Sequence, residues 1–296
     1  MSVVHINGEP ASPEAIAEAL LNGYATFTSM QVEAGGVRGL DLHIARLRDS
    51  ANDLFGAAPA ESRLRDLMRA ALARAPDRVS LRVQLYLPSV TRRRPDPRGV
   101  PSILVRVSDP LPPIRGNLRL GLVPFQRESP RLKHVATFGA TQVARQARQA
   151  GFDDALFVDT AGLVSEGSIW SLGLVQDGRI IWPKAMRLAS TGQALISQGL
   201  DLVGLNEQTR PVHVDELGRF QHAFIVNSAT PVCPVQSIGT QELADNPGLM
   251  DQLQAAWATN APKRSRPLAR GLLRTDVRRT ATGRRNHAHR ALSRHL

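Results

Sequence analysis

The chain has 296 residues, 42% of them hydrophobic, with one cysteine and a formal charge of +11. That length supports a large buried core, the lone cysteine excludes an intrachain disulfide and a multi-cysteine metal site, and no apolar run approaches the roughly 20 residues that cross a bilayer. The charge is uneven: residues 258–296 carry eleven Lys and Arg against the single acid Asp276, so +10 of the +11 falls there and the remainder is nearly neutral.

Strand-like runs open the chain at residues 3–6 and 25–32, the second alternating apolar and polar positions, and a Gly35-Gly36 turn leads into 37–40. Asp41 is placed to cap a helix on which Leu40, Ile44, Leu47, Ala51 and Leu54 form one stripe, while His43, Arg46 and Ser50 share another face. A second helix is expected over 61–74. Strands follow over 79–87 and 103–107, separated by a loop carrying Arg92, Arg93, Arg94 and Arg98. Pro110, Pro112 and Pro113 mark an interdomain linker, which assigns an N-terminal α/β domain to residues 1–113.

A second domain is expected over residues 114–257. It holds a strand over 118–124, a helix over 138–150, and strands over 155–158, 169–175 and 179–182, with Asp177-Gly178 as a hairpin turn. A helix over 191–199 starts behind Ser190, and strands over 224–227 and 232–237 close the domain. Strands outnumber helices and are mostly joined by hairpins, so the fold class is mixed, α+β or α/β, with mixed sheets and no doubly wound nucleotide fold. Cys233, in Thr-Pro-Val-Cys-Pro-Val, reads as a small buried hydrophobe. No paired histidines at metal-ligand spacing occur in the first 260 residues, so no metal is expected. Residues 1–9 lack the basic start and apolar stretch of a secretion signal, which makes the cytoplasm the expected compartment. Residues 258–296 read as a basic, disordered tail. Such a tail can neutralise phosphates, but this one has no Phe, Tyr or Trp for base stacking, so nucleic acid is not the expected partner.

Lys133, Lys184 and Lys263 are the only lysines beside 34 arginines. Arginine stays protonated, whereas a desolvated lysine can lose its proton and attack a carbonyl carbon. Lys133 is the best placed, between an expected strand and an expected helix. Pyridoxal 5'-phosphate needs such an amine, an anion against its ring nitrogen, and donors for its phosphate. Glu166 in Val-Ser-Glu-Gly-Ser can supply the anion. Ser190 and Thr191 at a helix start, Ser228 after a strand, and Arg46 as a charged fork can supply the phosphate donors.

These positions together resemble the class IV aminotransferases, a family that includes branched-chain and D-amino-acid aminotransferases and 4-amino-4-deoxychorismate lyase. The resemblance spans about residues 4–238. It rests on His43-Ile-Ala-Arg46-Leu47 with Ser50, on Lys133-His134, on Gly151 to Asp159 running into Gly162-Leu-Val-Ser-Glu166-Gly-Ser, and on Ala223-Phe-Ile-Val-Asn-Ser228 running into Pro234-Val235. The resemblance implies a two-domain fold type IV with pyridoxal 5'-phosphate in the interdomain cleft, and a homodimer. Lys133 is then the imine lysine and Glu166 the partner of the ring nitrogen, with Arg46, Ser190, Thr191 and Ser228 on the phosphate.

Departures are local. The tyrosine often found five residues after the lysine is Phe138 here, the strand Asn after the glutamate is Ser171, and Phe27-Thr28-Ser29 lies closer to the lyase branch. Arg82 and Arg98 are the candidates for a substrate carboxylate. The expected activity is a pyridoxal-phosphate-dependent aminotransferase moving an amino group between an amino acid and a 2-oxo acid. The alternatives are the pyruvate-releasing lyase and a noncatalytic protein binding nucleic acid through its tail.

Overall fold

Period-two alternation builds the first sheet of the computed structural model, which describes residues 2–264. Strands β1 (Val3–Ile6), β2 (Glu9–Pro10), β3 (Ala25–Glu33), β4 (Gly36–Val37), β5 (Arg78–Tyr86) and β6 (Ser102–Ser108) pair antiparallel in the order β4-β3-β5-β6-β1-β2. Helices α1 (Pro13–Leu21), α2 (Leu40–Phe55) and α3 (Glu61–Leu72) accompany it. Leu40, Ile44, Leu47, Ala51 and Phe55 on α2 pack with Met30, Leu81, Val83 and Val105 of the sheet. Each such side chain taken from water contributes about 1.5–3 kcal/mol, so this stripe decides which face of α2 turns inward.

Asp41 does not cap α2. The cap is Gly39, held at φ +66° in the left-handed region that glycine tolerates. Asp41 sits in the first turn and instead accepts from Lys263 at 2.6 Å and Arg65 at 2.5 Å, which hold its carboxyl below the usual range.

The second sheet is mixed. Strands β7 (Leu118–Pro124), β8 (Asp154–Val158), β9 (Val164–Gly167), β10 (Ser171–Gln176), β11 (Arg179–Pro183), β12 (Asn206–Arg210), β13 (His222–Val226) and β14 (Cys233–Ile238) lie in the order β12-β11-β10-β13-β14-β7-β8-β9, and β15 (Gln241–Glu242) adds to β14. Pairing is parallel where β12 meets β11 and where β7 meets β14 and β8. Helix α4 (Phe138–Gln149) packs on β7 and β8, while α5 (Thr191–Ser197) and α6 (Pro247–Ala258) cover Trp182, Phe224 and Val226. Cys233 is buried and donates to the Gly116 carbonyl, and burial pushes its thiol up to about 11. Among the described residues no helix is long and apolar enough to cross a membrane.

The segment expected to begin a tail at 258 stays ordered through its described part. Lys263–Arg264 pairs antiparallel with β4, and Arg38 donates to the Asn260 carbonyl. Residues 265–296, on which the expectation of disorder and of nucleic-acid binding chiefly falls, lie outside the described residues.

Candidate active site

A cavity of about 750 Å³ draws its walls from both sheets. Phe27 and Ser29 of β3 and Arg82 of β5 stand on one side, with Glu166 of β9 and Ser171 of β10 on the other. Among the described residues six cationic side chains border it, Arg46, Arg82, Arg127, Lys133, Arg145 and Arg148, against the single acid Glu166. A cavity so charged selects anionic ligands.

Lys133 reaches this cavity because its backbone is tied to the first sheet. The Lys133 carbonyl accepts from the Phe27 amide at 2.9 Å and the Thr26 hydroxyl at 3.1 Å, and the Val135 amide donates to the Ala25 carbonyl. A segment that follows β7 in the chain is thus laid against β3. The amine stands over the Phe27 ring, 4.9 Å from its centroid. Burial pushes this amine down to about 7; Arg46 and Arg127 push the same way, and Glu166 opposes them. At neutral pH a lysine at that value is about half in its free, nucleophilic form, where an ordinary lysine is almost wholly protonated.

Glu166 is the penultimate residue of β9, with only 4% of its surface exposed. The glycine after it is required by close approach: a Cβ at Gly167 would fall 2.2 Å from the Trp170 indole, whose Nε1 donates to Asp154. The Leu188 amide donates to both carboxyl oxygens at 3.4 Å, and Arg127 Nη1 lies 4.0 Å from Oε1. Burial raises the Glu166 carboxyl despite the guanidinium beside it. Such a carboxylate gains from a further N–H cation.

Arg46 projects from α2 with Nη1 on the Ala189 carbonyl at 2.9 Å and Nη2 on the Thr28 hydroxyl at 3.2 Å. Its Nε is buried with no hydrogen-bond partner among the described residues, a donor left for an anion. Burial pulls Arg46 down to about 10, so it stays charged at neutral pH. Ser190 and Thr191 border the cavity just beyond Ala189. Ser190 Oγ accepts from the Gln193 amide, which leaves its own proton to donate.

Arg46, Lys133, Glu166, Ser190, Thr191, Ser228 and Arg82 therefore meet on one cavity, as the sequence motifs lead one to expect. Two of the expected residues make other contacts. The Ser228 hydroxyl donates to the Ser29 carbonyl at 3.0 Å, which ties the loop after β13 to β3 at the edge of the cavity. Arg98 is exposed, with its guanidinium against Gly56 at the end of α2, and does not line the cavity. Phe138 is 82% exposed and also stands off the lining, where Thr137 is found instead.

Arg127, Arg145 and Arg148 line the cavity without having been expected there. Arg127, in Phe-Gln-Arg-Glu-Ser-Pro, has the look of a solvated turn; a hydrogen bond to the Leu132 carbonyl holds it with only 10% of its side chain exposed. Arg145 and Arg148 share one face of α4 with Thr141, a helical spacing that was open to recognition.

Residues 25–238 match the family model Amino-transferase class IV, and the chain belongs to that family. A Methanocaldococcus jannaschii protein carrying the provisional name branched-chain-amino-acid aminotransferase is 24% identical over 257 residues, 79% of this chain and 87% of that protein. Among solved structures, the Escherichia coli branched-chain amino acid aminotransferase superposes with a TM-score of 0.76 at 17% identity, covering 86% of this chain and 92% of that one. A hypothetical aminotransferase from Mycobacterium tuberculosis, solved in its PLP-bound form, gives 0.72 at 21% identity, covering 87% of this chain and 98% of that one. The fold is thus that of these proteins.

Proposed function

We propose that the chain binds pyridoxal 5'-phosphate in the 750 Å³ cavity and transfers an amino group between an amino acid and a 2-oxo acid. The observation that carries this is the Lys133 amine, pushed down to about 7 in the same cavity as a buried Glu166. The cavity fits the cofactor on three counts: a free amine, a carboxylate that gains from an N–H cation, and the unpartnered Arg46 Nε. Pyridoxal phosphate bound there supplies an electron sink for the pair released when the substrate Cα–H bond breaks. Arg46, with the Ser190 hydroxyl and Thr191, would hold the phosphate. Glu166 would hold the ring-nitrogen proton, and Lys133 Nζ would take the proton from the substrate α-carbon.

Residues 1–113 and 114–257 would form the two sides of the cofactor cleft. Phe138, at 82% exposed, and Ile169, at 65%, leave apolar surface beside the cavity, which supports a homodimer with this face covered by a second copy. An absorbance spectrum of the loaded protein tests the activity. An amino acid alone should bleach the cofactor band and a 2-oxo acid restore it; turnover that needs no 2-oxo acid and releases pyruvate would point to the lyase.

Two predictions arise from the cations. Arg82, with its guanidinium 3.7 Å over the Phe27 ring and bonded to Gln84, is held toward the cavity and is assigned to the substrate carboxylate. Arg82→Ala should raise KM for a carboxylate substrate about tenfold, about 1.4 kcal/mol, with the cofactor spectrum unchanged. Arg98→Ala should leave KM unaltered. Equal kinetics in both variants would remove Arg82 from the site.

The second concerns pH. Only the free amine of Lys133 bonds the cofactor aldehyde, so the rate of cofactor attachment by apoprotein should rise with pH and level off above about 7. An ordinary lysine would keep gaining about tenfold per pH unit until near 10. Stopped-flow absorbance separates the two curves.

A further inference from the structure

Arg46 is held at one amino group by the hydroxyl of Thr28, and that hydroxyl has a second partner. Nδ1 of His43 lies 2.7 Å from Thr28 Oγ1. Both residues are buried, His43 at 1% and Thr28 at 1% exposure. The direction of each bond follows from what each group owns. Arg46 Nη2 can only donate, so Thr28 accepts there. The one hydroxyl proton of Thr28 then goes to His43 Nδ1, which assigns the ring proton to Nε2. The opposite tautomer would aim two donors at the hydroxyl and leave its own proton without an acceptor.

The helix sets this chain up. His43 and Arg46 are three residues apart on α2, so they project from neighbouring positions, His43 buried at the flank of the apolar stripe and Arg46 farther round the helix. Thr28 points toward them from β3, between Phe27 and Ser29, which alternate to the cavity side. Burial, with Arg46 and Lys133 nearby, pushes the His43 imidazole down to about 3, so the ring is neutral over the working range. Neutrality matters here. A carboxylate at this position would pair with the guanidinium and compete with an incoming anion, whereas a neutral acceptor fixes Thr28 and leaves the charge of Arg46 for the ligand.

We propose that His43 is a positioning residue for Arg46, acting through the Thr28 hydroxyl, so that an imidazole outside the cavity lining sets the affinity for the cofactor's phosphate. This rests on the proposed binding of pyridoxal phosphate, and the test separates the two. Apoproteins of wild type, His43→Leu, His43→Asn and the near-isosteric pair Thr28→Val and Thr28→Ser are titrated with pyridoxal 5'-phosphate and, separately, with pyridoxal, which lacks the phosphate. His43→Leu and Thr28→Val should weaken pyridoxal phosphate about tenfold and leave pyridoxal within about twofold. His43→Asn, which keeps a polar atom near the Nδ1 position, and Thr28→Ser, which keeps the hydroxyl, should recover most of the loss.

Equal weakening of both ligands would mean a merely structural role and overturn the proposal, as would unchanged affinity or failure of both conservative variants to recover it. Should His43→Leu not fold, the Thr28 pair decides alone. Wild-type protein that takes up no pyridoxal phosphate overturns the cofactor reading and this inference with it. Wild type that binds it, beside variants that bind equally well, overturns this inference only.

Discussion

Lys133→Ala should lower turnover by about four orders of magnitude or more, because one side chain supplies both the amine that bonds the cofactor and the base that takes the substrate proton. No other lysine can substitute. Lys184 is exposed beyond the end of β11, and Lys263 is engaged with Asp41 at 2.6 Å. Arginine would not rescue the loss, since a guanidinium does not deprotonate at neutral pH. Steady-state assays with excess cofactor check this. Residual turnover within tenfold of wild type would take Lys133 out of the chemistry.

Glu166→Gln should keep the cofactor bound and slow turnover about a hundredfold, near 3 kcal/mol, which is the usual cost of losing one well-placed electrostatic contact. A neutral amide no longer favours a protonated ring nitrogen, so the electron sink is weaker. Cofactor retention is expected because the phosphate is assigned to Arg46, whose contacts run to Ala189 and Thr28 and not to Glu166. The check is the rate of the fully loaded variant, with loading verified by absorbance. Unchanged turnover at full occupancy would contradict the role given to this carboxylate.

What the sequence revealed of the site came from residues at the ends of elements. Lys133, Glu166, Ser190 and Ser228 stand where a strand or loop hands over to the next element, and motifs at such junctions survive as short, readable strings. Arg46 was legible for a different reason: it lies opposite an apolar stripe of clear helical period. Arg127 was not, since only the fold of its loop, closed by a bond to Leu132, shows that it turns inward. Arg98 failed in the opposite sense. Its loop is as arginine-rich as a substrate clamp, but its guanidinium lies at the end of α2.

Two helices went unassigned from sequence, and they differ. Helix α1 leaves Leu20 and Leu21 exposed, so its apolar pattern is blurred. Helix α6 carries an Asn246 cap, proline at its start, and Leu249, Met250, Leu253, Ala256 and Trp257 buried at helical spacing, so its signals were present. The strand formed by Lys263–Arg264 had none of these, because its pairing partner β4 lies more than two hundred residues away.

Lys133 is the residue proposed to take the cofactor. Borohydride reduction of protein loaded with pyridoxal 5'-phosphate, followed by peptide mapping, tests it most directly. One phosphopyridoxyl group per chain is expected, on Lys133. A label on Lys184 or Lys263 with Lys133 unmodified would contradict it.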